Sequence, residues 1–479
     1  MPQPEDPSGA SMSGQPEGSS QASMSRRGPE DPSGASVPSA GPEDPSGASM
    51  PRQPEGPSRN STPQAVKGTR DLFGAELALH RHIEATAARW LEAAGALEIE
   101  TPIFEESQVF EKGVGPASDI VRKEMYTFQD RGERWLTLRP EGTASVVRAY
   151  LEHGMKVWPA PVKLWLRGSM FRAENPQKGR LRQFHQVGYE VLGSREASLD
   201  AETIALMWGI FTDLGLKGLE LKLGSVGDPA DRLRYNTYLR ELLAPYRERL
   251  SENSRERLAL NPMRIWDAKD PEDLGLLAEL SPAPMLEFLG PAAREHLQAL
   301  EADLKALGIP YQLDPKMVRG LDYYSRTAFE IHHSQIGSQS ALGGGGRYDG
   351  LAELLGGGPV PAVGFAFGLE RVALALGAPE TPARVLDLYL IPMDELAVRE
   401  ALVLAAGLRP RFHVEQSYAA KKPRKGLEEA LKRGARFAAF LGERERNSGG
   451  ITVRNLVQNQ ERSWAKDHLE AALTDWDNV

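Results

Sequence analysis

Five arginines lie in or beside segments with the alternating pattern of β-strands, where a charged side chain is incompletely solvated. Arg139, Arg172 and Arg319 are near strand or hairpin positions, Arg180 falls in a predicted hairpin loop, and Arg371 follows a Gly-rich strand. Arginine stays charged and directs two donors onto phosphate oxygens, so converging arginines suit a polyphosphate. Isolated ones would be surface or ion-paired residues, and spacing alone does not show whether they converge.

Three carboxylates, Glu141, Glu174 and Glu190, alternate with these arginines in the same segments. Such acids can bind an ammonium group, hold a divalent cation, or neutralise the arginines. The three interpretations stay open on these residues alone.

Other kinds of site have less support. The chain has no cysteine, which excludes disulfides, thiolate metal sites and cysteine nucleophiles. No histidine pair stands at ligand spacing, so a zinc site has little support, and a lone strand histidine such as His185 is typically structural rather than a base. "GGGG" at 343–346 lacks the GK[ST] of a P-loop, and we expect it to permit close approach of a ligand or a neighbouring strand.

The densest basic stretch is "KKPRKGLEEALKRGAR" at 421–436, in a chain whose net charge is −9. It is either a solvated helix start and loop or a contact surface for the phosphates of a structured RNA. The acidic balance argues against non-specific coating of nucleic acid but permits one local basic surface.

The elements that position these residues follow from periodicity. "LEIETPIFEE" at 97–106 alternates like a strand, with Pro102 at an edge or bend. The other predicted strands are 134–142, 162–174, 182–193, 327–333, 340–344 and 361–367. Predicted helices cover 76–94, 197–214 and 368–376. Strands 162–174 and 182–193 are expected to form an antiparallel hairpin.

The 479 residues divide into four regions. Residues 1–64 repeat PEDPSGAS, lack Leu, Ile, Phe, Tyr and Trp, and are predicted to be a disordered tail. A main domain is expected at 65–222 and 313–378, with a helical insertion at 223–312 and an α/β domain at 384–479. No apolar run approaches the roughly 20 residues of a membrane span, and no signal-peptide core is present, so we expect a cytoplasmic protein with no membrane contact.

At this point the chain from about Val66 onward resembles the histidyl-tRNA synthetases, which are class II aminoacyl-tRNA synthetases. "EIETPIFEE" is similar to the motif 1 strand, and "RPEGTASVVRAY" with "MFRAENPQKGRLRQFHQVGYEVLG" to the histidine-specific form of motif 2. "RGLDYYSRTAFEI" and "ALGGGGRYDGL" resemble the two histidine-specific signatures. "AVGFAFGLERVALAL" is similar to motif 3.

The resemblance implies an α+β fold: a class II catalytic domain with a six-stranded antiparallel sheet, the helical insertion, and a C-terminal α/β anticodon-binding domain. It implies a homodimer built across motif 1. It also implies a histidine–tRNA ligase that activates L-histidine with ATP and Mg²⁺ to histidyl-adenylate, then transfers the histidyl group to the 3′ end of tRNA-His.

The resemblance assigns roles residue by residue. The implied ATP-binding residues are Arg172 (α-phosphate), Arg180 and Arg371 (γ-phosphate end), Phe184 (adenine) and Glu174 (nucleotide and Mg²⁺). The implied catalytic residues are Arg172 and Arg319, the latter a fixed cation over the α-phosphate. The implied histidine-binding residues are Glu141 and Thr143 (α-ammonium), Gln186 (carboxylate), Glu190 and Tyr324 (imidazole), Tyr348 and Tyr323. Because strand side chains alternate, Tyr323 is expected either to face away from Tyr324 or to line the pocket wall.

One position departs from the family pattern. Bacterial members often carry an arginine before the Pro-Gln of the motif 2 loop, where it helps to read the extra guanosine of tRNA-His. Here that position is Asn175, while Gln177 remains as the implied contact with the acceptor end.

Two other functions compete with the ligase. The regulatory subunit of the first histidine-biosynthesis enzyme shares this catalytic fold, but such proteins resemble synthetases that lost "RGLDYY" and the ATP arginines, and this chain keeps both. An RNA-binding module without activity would explain the basic stretch but not the arginines and carboxylates.

Overall fold

The computed structural model describes residues 62–115, 118–177, 179–318, 323–334, 340–377 and 386–476. The strands are β1 (Leu97–Glu98), β2 (Phe104–Glu106), β3 (Tyr126–Gln129), β4 (Trp135–Leu138), β5 (Val162–Phe171), β6 (Gln183–Leu192), β7 (Leu219–Ser225), β8 (Tyr311–Leu313), β9 (Ser325–His333), β10 (Ala341–Arg347), β11 (Ala362–Gly368), β12 (Leu386–Pro392), β13 (Val414–Gln416), β14 (Ala435–Leu441), β15 (Gly450–Asn455) and β16 (Gln460–Ala465). The α-helices are α1 (Gly74–Ala93), α2 (Ser107–Val114), α3 (Thr143–Glu152), α4 (Ala197–Asp213), α5 (Pro229–Leu243), α6 (Glu252–Leu260), α7 (Pro271–Leu280), α8 (Pro291–Ala306), α9 (Leu351–Leu354), α10 (Leu369–Leu376), α11 (Glu395–Leu408), α12 (Pro423–Lys432), α13 (Glu443–Ser448) and α14 (Leu469–Thr474). The predicted disordered tail, 1–64, lies outside the described residues apart from its last three.

The main sheet has eight strands in the order β1-β5-β6-β11-β10-β9-β7-β8. Its inner strands are antiparallel, and the short edge strands β1 and β8 pair in parallel with β5 and β7. β5 and β6 form the predicted hairpin, in register from Val162 with Leu192 to Phe171 with Gln183. Alternate residues of β6 therefore face two different layers of the protein.

The segment 97–106, predicted as one strand, is two strands. β1 pairs with β5 in the main sheet, whereas β2 joins β3 and β4 in a separate three-stranded sheet. Pro102 lies in the break, and its missing N–H cannot continue a ladder of hydrogen bonds. The proline thus redirects the chain from one sheet to the other.

A layer of helices packs on one face of the main sheet. Helix α1 contacts both α4 and α10; α1 and α10 pack on β6, and α4 and α10 pack on β11. Gly209 on α4 makes this packing close, because a Cβ atom there would lie 2.5 Å from the Trp90 ring of α1. Ile83, Ile204 and Phe211 are fully buried between helices and sheet.

Between β7 and β8 the chain is mostly helical. Asp228 caps α5 through a capping box with Asp231, and Pro229 occupies the first turn, which suits a position without a donor. α8 packs against α4 of the helix layer.

A buried polar cluster joins α8 to the main sheet. The Asp200 carboxylate on α4 accepts hydrogen bonds from His296 Nε2 at 2.7 Å, from Thr327 Oγ1 at 2.6 Å and from the Arg347 guanidinium. Burial alone would raise the pKa of Asp200, but the bond from His296 and the charge of Arg347 outweigh it and lower that pKa. This charge is therefore fully partnered inside the core.

The C-terminal part has a five-stranded sheet in the order β13-β12-β14-β15-β16. β12, β13 and β14 are parallel, and β15 and β16 are antiparallel to their neighbours. Both faces of β12 are buried: Leu388 and Leu390 pack in one apolar cluster, and Tyr389 and Ile391 in another. None of the described helices is long and apolar enough to cross a membrane.

Candidate active site

A cavity of about 650 Å³ opens on the main sheet, over β6, β9, β10 and β11. Its lining includes every predicted site residue that the structure describes, except Gln177. Those residues are Glu141, Thr143, Arg172, Glu174, Arg180, Phe184, Gln186, Glu190, Tyr323, Tyr324, Tyr348 and Arg371. Gln177 lines a neighbouring cavity of about 600 Å³, and the predicted catalytic Arg319 lies outside the described residues.

Alternation along β6 distributes its side chains between the cavity and the helix layer. Phe184, Gln186 and Glu190 line the cavity. His185, between the first two, instead contacts His80 of α1 and Glu370 of α10. Phe184 and Glu190 are six residues apart, which is about 20 Å along a strand, so β6 carries two separated ends of the site.

The end near Phe184 is rich in arginine. Arg172 donates from Nε to the Pro140 carbonyl at 3.0 Å, and its guanidinium lies 5.2 Å from the centre of the Phe184 ring. Both contacts fix the direction of a charge that faces the cavity.

Arg180 and Arg371 are close enough to affect each other. Arg180 pairs with Glu174 at 3.1 Å, and Arg371 donates from Nε to the Ala341 carbonyl at 2.6 Å. Burial, and then the neighbouring Arg180, lower the pKa of Arg371. An anion placed between these two guanidinium groups would relieve their repulsion.

The end near Glu190 contains two buried carboxylates. Glu141 accepts from the backbone N–H groups of Thr143 at 2.7 Å and Ala144 at 2.8 Å, at the start of α3. Glu190 accepts from Thr143 Oγ1 at 2.7 Å and from the Tyr348 hydroxyl. Burial raises the pKa of Glu141, and it raises the pKa of Glu190 to about 8. A cation bound here would stabilise both carboxylates in the charged form.

Three tyrosines surround this acidic end. The Tyr323 ring lies 4.8 Å from that of Tyr324 and 5.6 Å from that of Tyr348, measured between centroids. β9 begins only at Ser325, so strand alternation does not separate Tyr323 from Tyr324, and both line the cavity. Of the two places expected for Tyr323, the structure has the pocket wall.

Glycines let the strands under the cavity approach closely, as the "GGGG" stretch led us to expect. A Cβ atom on Gly345 would lie 2.0 Å from the Gly364 carbonyl oxygen. A Cβ atom on Gly364 would lie 2.0 Å from Glu190 Oε2. The space that a side chain would fill is occupied by backbone and by the buried carboxylate.

Arg139 does not belong to the site. Its side chain is buried and donates to the Ser169 carbonyl at 2.9 Å, the Thr101 carbonyl at 2.9 Å and Thr101 Oγ1 at 3.0 Å. These neutral partners hold the turn after β4, which is a structural role. Of the five arginines, the structure therefore brings Arg172, Arg180 and Arg371 into one cavity.

Six titratable residues that line the cavity were missed from the sequence: Lys222, Asp267, Lys269, Glu330, His332 and Glu370. Glu330 and His332 lie on β9, and His332 contacts Glu330 Oε2 at 3.0 Å and Ser340 Oγ at 2.8 Å. The available signal was their alternation with the buried Phe329 and Ile331, which places the polar pair on the opposite face of the strand.

The basic stretch 421–436 forms α12 and the residues around it. Part of its charge is paired within the domain, since Lys421 contacts Glu429 at 2.5 Å and Arg433 contacts Glu415. Lys422, Lys425 and Lys432 are exposed. The stretch thus contains both ion-paired and exposed basic side chains, and contact of the exposed ones with RNA phosphates stays a prediction.

Comparison with known proteins gives the same assignment along most of the chain. The family model for histidyl-tRNA synthetase matches residues 68–372, and the anticodon binding domain matches residues 387–476. A histidine–tRNA ligase of Thermus thermophilus is 63% identical over 417 residues, which cover 86% of this chain and 99% of the relative. That of Deinococcus radiodurans is 49% identical, with the same two coverages.

A solved structure agrees. Apo S. aureus histidyl-tRNA synthetase matches with a TM-score of 0.72 at 34% identity, covering 86% of this chain and all of that one. The predicted class II fold with a C-terminal anticodon-binding domain is confirmed. The chain belongs to the histidyl-tRNA synthetase family.

Proposed function

We propose that this chain is a histidine–tRNA ligase, which activates L-histidine with ATP and transfers it to tRNA-His. The observation that carries the proposal is the single cavity that joins an arginine-rich end to a buried acidic end. The first suits the phosphates of ATP and the second suits the two nitrogen-containing groups of histidine. Family membership supports the same activity.

At the arginine-rich end, Arg172 holds the α-phosphate, and Arg180 with Arg371 holds the γ-phosphate end. Phe184 stacks on adenine. Arg319, in the "RGLDYY" signature, supplies a further cation over the α-phosphate. Fixed cations lower the barrier because negative charge grows on the phosphoryl oxygens in the transition state.

At the acidic end, Glu141 and Thr143 receive the α-ammonium group and Gln186 meets the carboxylate. Glu190 and Tyr324 contact the two nitrogens of the imidazole, while Tyr348 and Tyr323 support them. An amino acid that lacks either nitrogen leaves a buried polar group without a partner, and this excludes it more strongly than a lost methylene does.

The reaction proceeds in two steps. A carboxylate oxygen of histidine attacks the α-phosphorus, the bond to the bridging oxygen breaks, and pyrophosphate leaves with that electron pair. A terminal ribose hydroxyl of the tRNA then attacks the carbonyl carbon of the adenylate, AMP leaves, and the hydroxyl proton is lost. In the first step Arg172 and Arg319 stabilise the charge on the phosphoryl oxygens.

The residues near Arg180 fit a magnesium ion. Glu174 lines the cavity beside Glu124, whose pKa is raised by burial and by the nearby Glu174. Carboxylate oxygens are ligands that Mg²⁺ prefers, so Glu174 would hold the ion together with phosphate oxygens. When bound, the ion neutralises charge on the leaving pyrophosphate.

The proposed ligase also has a tRNA partner, a dimer partner and a cellular location. Gln177 contacts the acceptor end of tRNA-His, and the exposed lysines of 421–436 contact its phosphates. A homodimer forms across the motif 1 region, where Phe104, Phe128 and Trp135 of the three-stranded sheet are exposed. The protein works in the cytoplasm, where its tRNA substrate is used.

The test is ATP–pyrophosphate exchange that depends on L-histidine. We expect exchange with histidine and none with the other amino acids. A folded chain that shows no exchange would contradict the ligase, and binding of tRNA without exchange would favour the RNA-binding module. Exchange activity would exclude the non-catalytic regulatory subunit.

A further inference from the structure

Two histidines and a glutamate that are far apart in the sequence meet between the main sheet and the helix layer, and the glutamate also lines the cavity. His80 lies on α1, His185 on β6 and Glu370 in the first turn of α10. One nitrogen or oxygen atom from each lies within 4.8 Å of the others. Among the described residues, this is the one cluster of His, Asp and Glu with such spacing.

Glu370 and His185 already have nearly the separation of two ligands on one ion. The Glu370 Oε1 atom lies 2.8 Å from His185 Nδ1, and both carboxylate oxygens lie 3.0 Å from the His185 backbone nitrogen. Ligands of a tetrahedral ion at about 2.1 Å are about 3.4 Å apart, so a small widening suffices. One oxygen can then bind the ion while the other keeps the backbone hydrogen bond.

His80 contributes a buried nitrogen that the protein leaves without a partner. Its side chain is 2% exposed, and Nε2 makes no hydrogen bond. An unsatisfied buried polar atom costs about 1–3 kcal/mol in proteins, so its presence calls for an explanation. The His80 ring is nearly perpendicular to the His185 ring, with centroids 5.6 Å apart.

We propose that His80, His185 and Glu370 bind one divalent transition-metal ion of the Zn²⁺ or Co²⁺ type. Two imidazoles and one carboxylate suit these ions, whereas Mg²⁺ and Ca²⁺ prefer oxygen ligands alone. Three protein ligands leave one position, which water fills from the partly exposed side of His185. The site differs from the magnesium position at Glu174, because His80 and His185 do not line the cavity and Glu370 is its one ligand that does.

The bound ion would tie three elements together. It connects the first helix, α1, to β6 and α10, whose neighbouring residues Phe184, Gln186 and Arg371 line the cavity. The ion would hold β6 and α10 in place, and these two elements carry the predicted nucleotide contacts Phe184 and Arg371.

The experiment uses the full-length chain without an affinity tag, freed of metal with a chelator and titrated with Co²⁺. We expect about one Co²⁺ per chain, visible absorption bands of a four- or five-coordinate ion, and a higher thermal midpoint with the ion than without it. Excess Mg²⁺ should not displace the signal.

Two variants and one matched control locate the site. His80→Leu and Glu370→Gln should each weaken Co²⁺ binding by roughly tenfold or more. His82→Gln, on the exposed side of the same helix, should bind as the natural chain does. The thermal midpoint of each metal-free variant shows that it folds.

Each result of the Co²⁺ titrations either supports or overturns the proposed metal site. Binding that persists in folded His80→Leu, or that Mg²⁺ displaces, overturns the proposal, as does a natural chain that binds no Co²⁺. Loss of the absorption bands in both folded variants, but not in His82→Gln, supports it.

Discussion

Replacing Glu190 by glutamine is expected to stabilise the fold at alkaline pH while weakening the binding of histidine. Glu190 is buried, accepts from Thr143 and Tyr348, and lies beside Glu141. The amide has nearly the same shape but carries no charge. The same substitution therefore tests both the electrostatics of the fold and the proposed role in the site.

The size of the stability effect follows from the pKa. Burial raises the pKa of Glu190 from 4.5 to about 8, so the folded chain holds its proton to a higher pH than the unfolded chain does. The free energy of unfolding therefore decreases as the pH rises from about 4.5 to about 8, by as much as about 5 kcal/mol from this group. The Glu190→Gln variant has no carboxyl group at this position, so its free energy of unfolding should not show this decrease.

Denaturation by urea at pH 5 and at pH 9 measures the effect. From pH 5 to pH 9, the free energy of unfolding of the variant should rise by several kcal/mol relative to that of the natural chain. Imperfect hydrogen bonding of the amide would shift the variant by the same amount at both pH values, so it does not affect this comparison. The exposed Glu353→Gln serves as the matched control and should show no such gain. Equal pH dependence of the variant and the natural chain would refute the reasoning about burial.

The effect on histidine is measured by ATP–pyrophosphate exchange with varied L-histidine. A hydrogen bond to a charged group contributes about 1.5–3 kcal/mol, so the KM for histidine should rise about 10- to 100-fold. The KM for ATP should change little, because Phe184 and Glu190 are about 20 Å apart along β6. An unchanged KM for histidine would remove Glu190 from the amino-acid site.

Three further predictions concern other parts of the chain. Arg319→Ala should slow adenylate formation in single turnover by about 100-fold or more, as loss of one preorganised charge contact does, and near-normal exchange would remove it from the site. Gly364→Ala should destabilise the fold by about 1–3 kcal/mol in urea, because its Cβ would meet Glu190, whereas Gly350→Ala, with open space, should not. Deleting residues 1–64 should leave aminoacylation nearly unchanged, and a large loss would show that the tail takes part.

The sequence could predict those parts of the fold that depend on local patterns. Alternation placed the hairpin of β5 and β6 correctly, and the glycines at 343–346 indicated close strand packing. Pro102 indicated a bend in the segment 97–106. The pattern did not indicate that the two halves of this segment join different sheets. The sheet that a strand joins depends on partner strands far away in the sequence, and the local pattern contains no information about them.

Prediction of the site from the sequence was limited in the same way. Resemblance to the family supplied the residues that the structure gathers in the cavity, while the residue types alone left Arg139 equivalent to Arg172. Alternation did not decide between the two places expected for Tyr323, because β9 begins after it. His80 and Glu370 are 290 positions apart in the sequence, so no spacing rule could bring them together.

The buried cluster around Asp200 bears on attempts to reduce this protein to a minimal catalytic core. The helical segment between β7 and β8 looks dispensable on a topology diagram, since β7 and β8 are neighbours. Excising it removes His296, uncovers the face of α4 that α8 packs on, and leaves the Asp200 carboxylate short of a donor. Asp200 also holds Arg347, the residue before Tyr348.

The segment between β7 and β8 thus supplies one partner of a carboxylate that is buried in another part of the fold. A shortened version of this chain would need a new donor to Asp200 in place of His296 and a new cover for α4, since a buried polar group that loses a partner is destabilising. Removal of the segment between β7 and β8 therefore has a cost in stability that a topology diagram does not show.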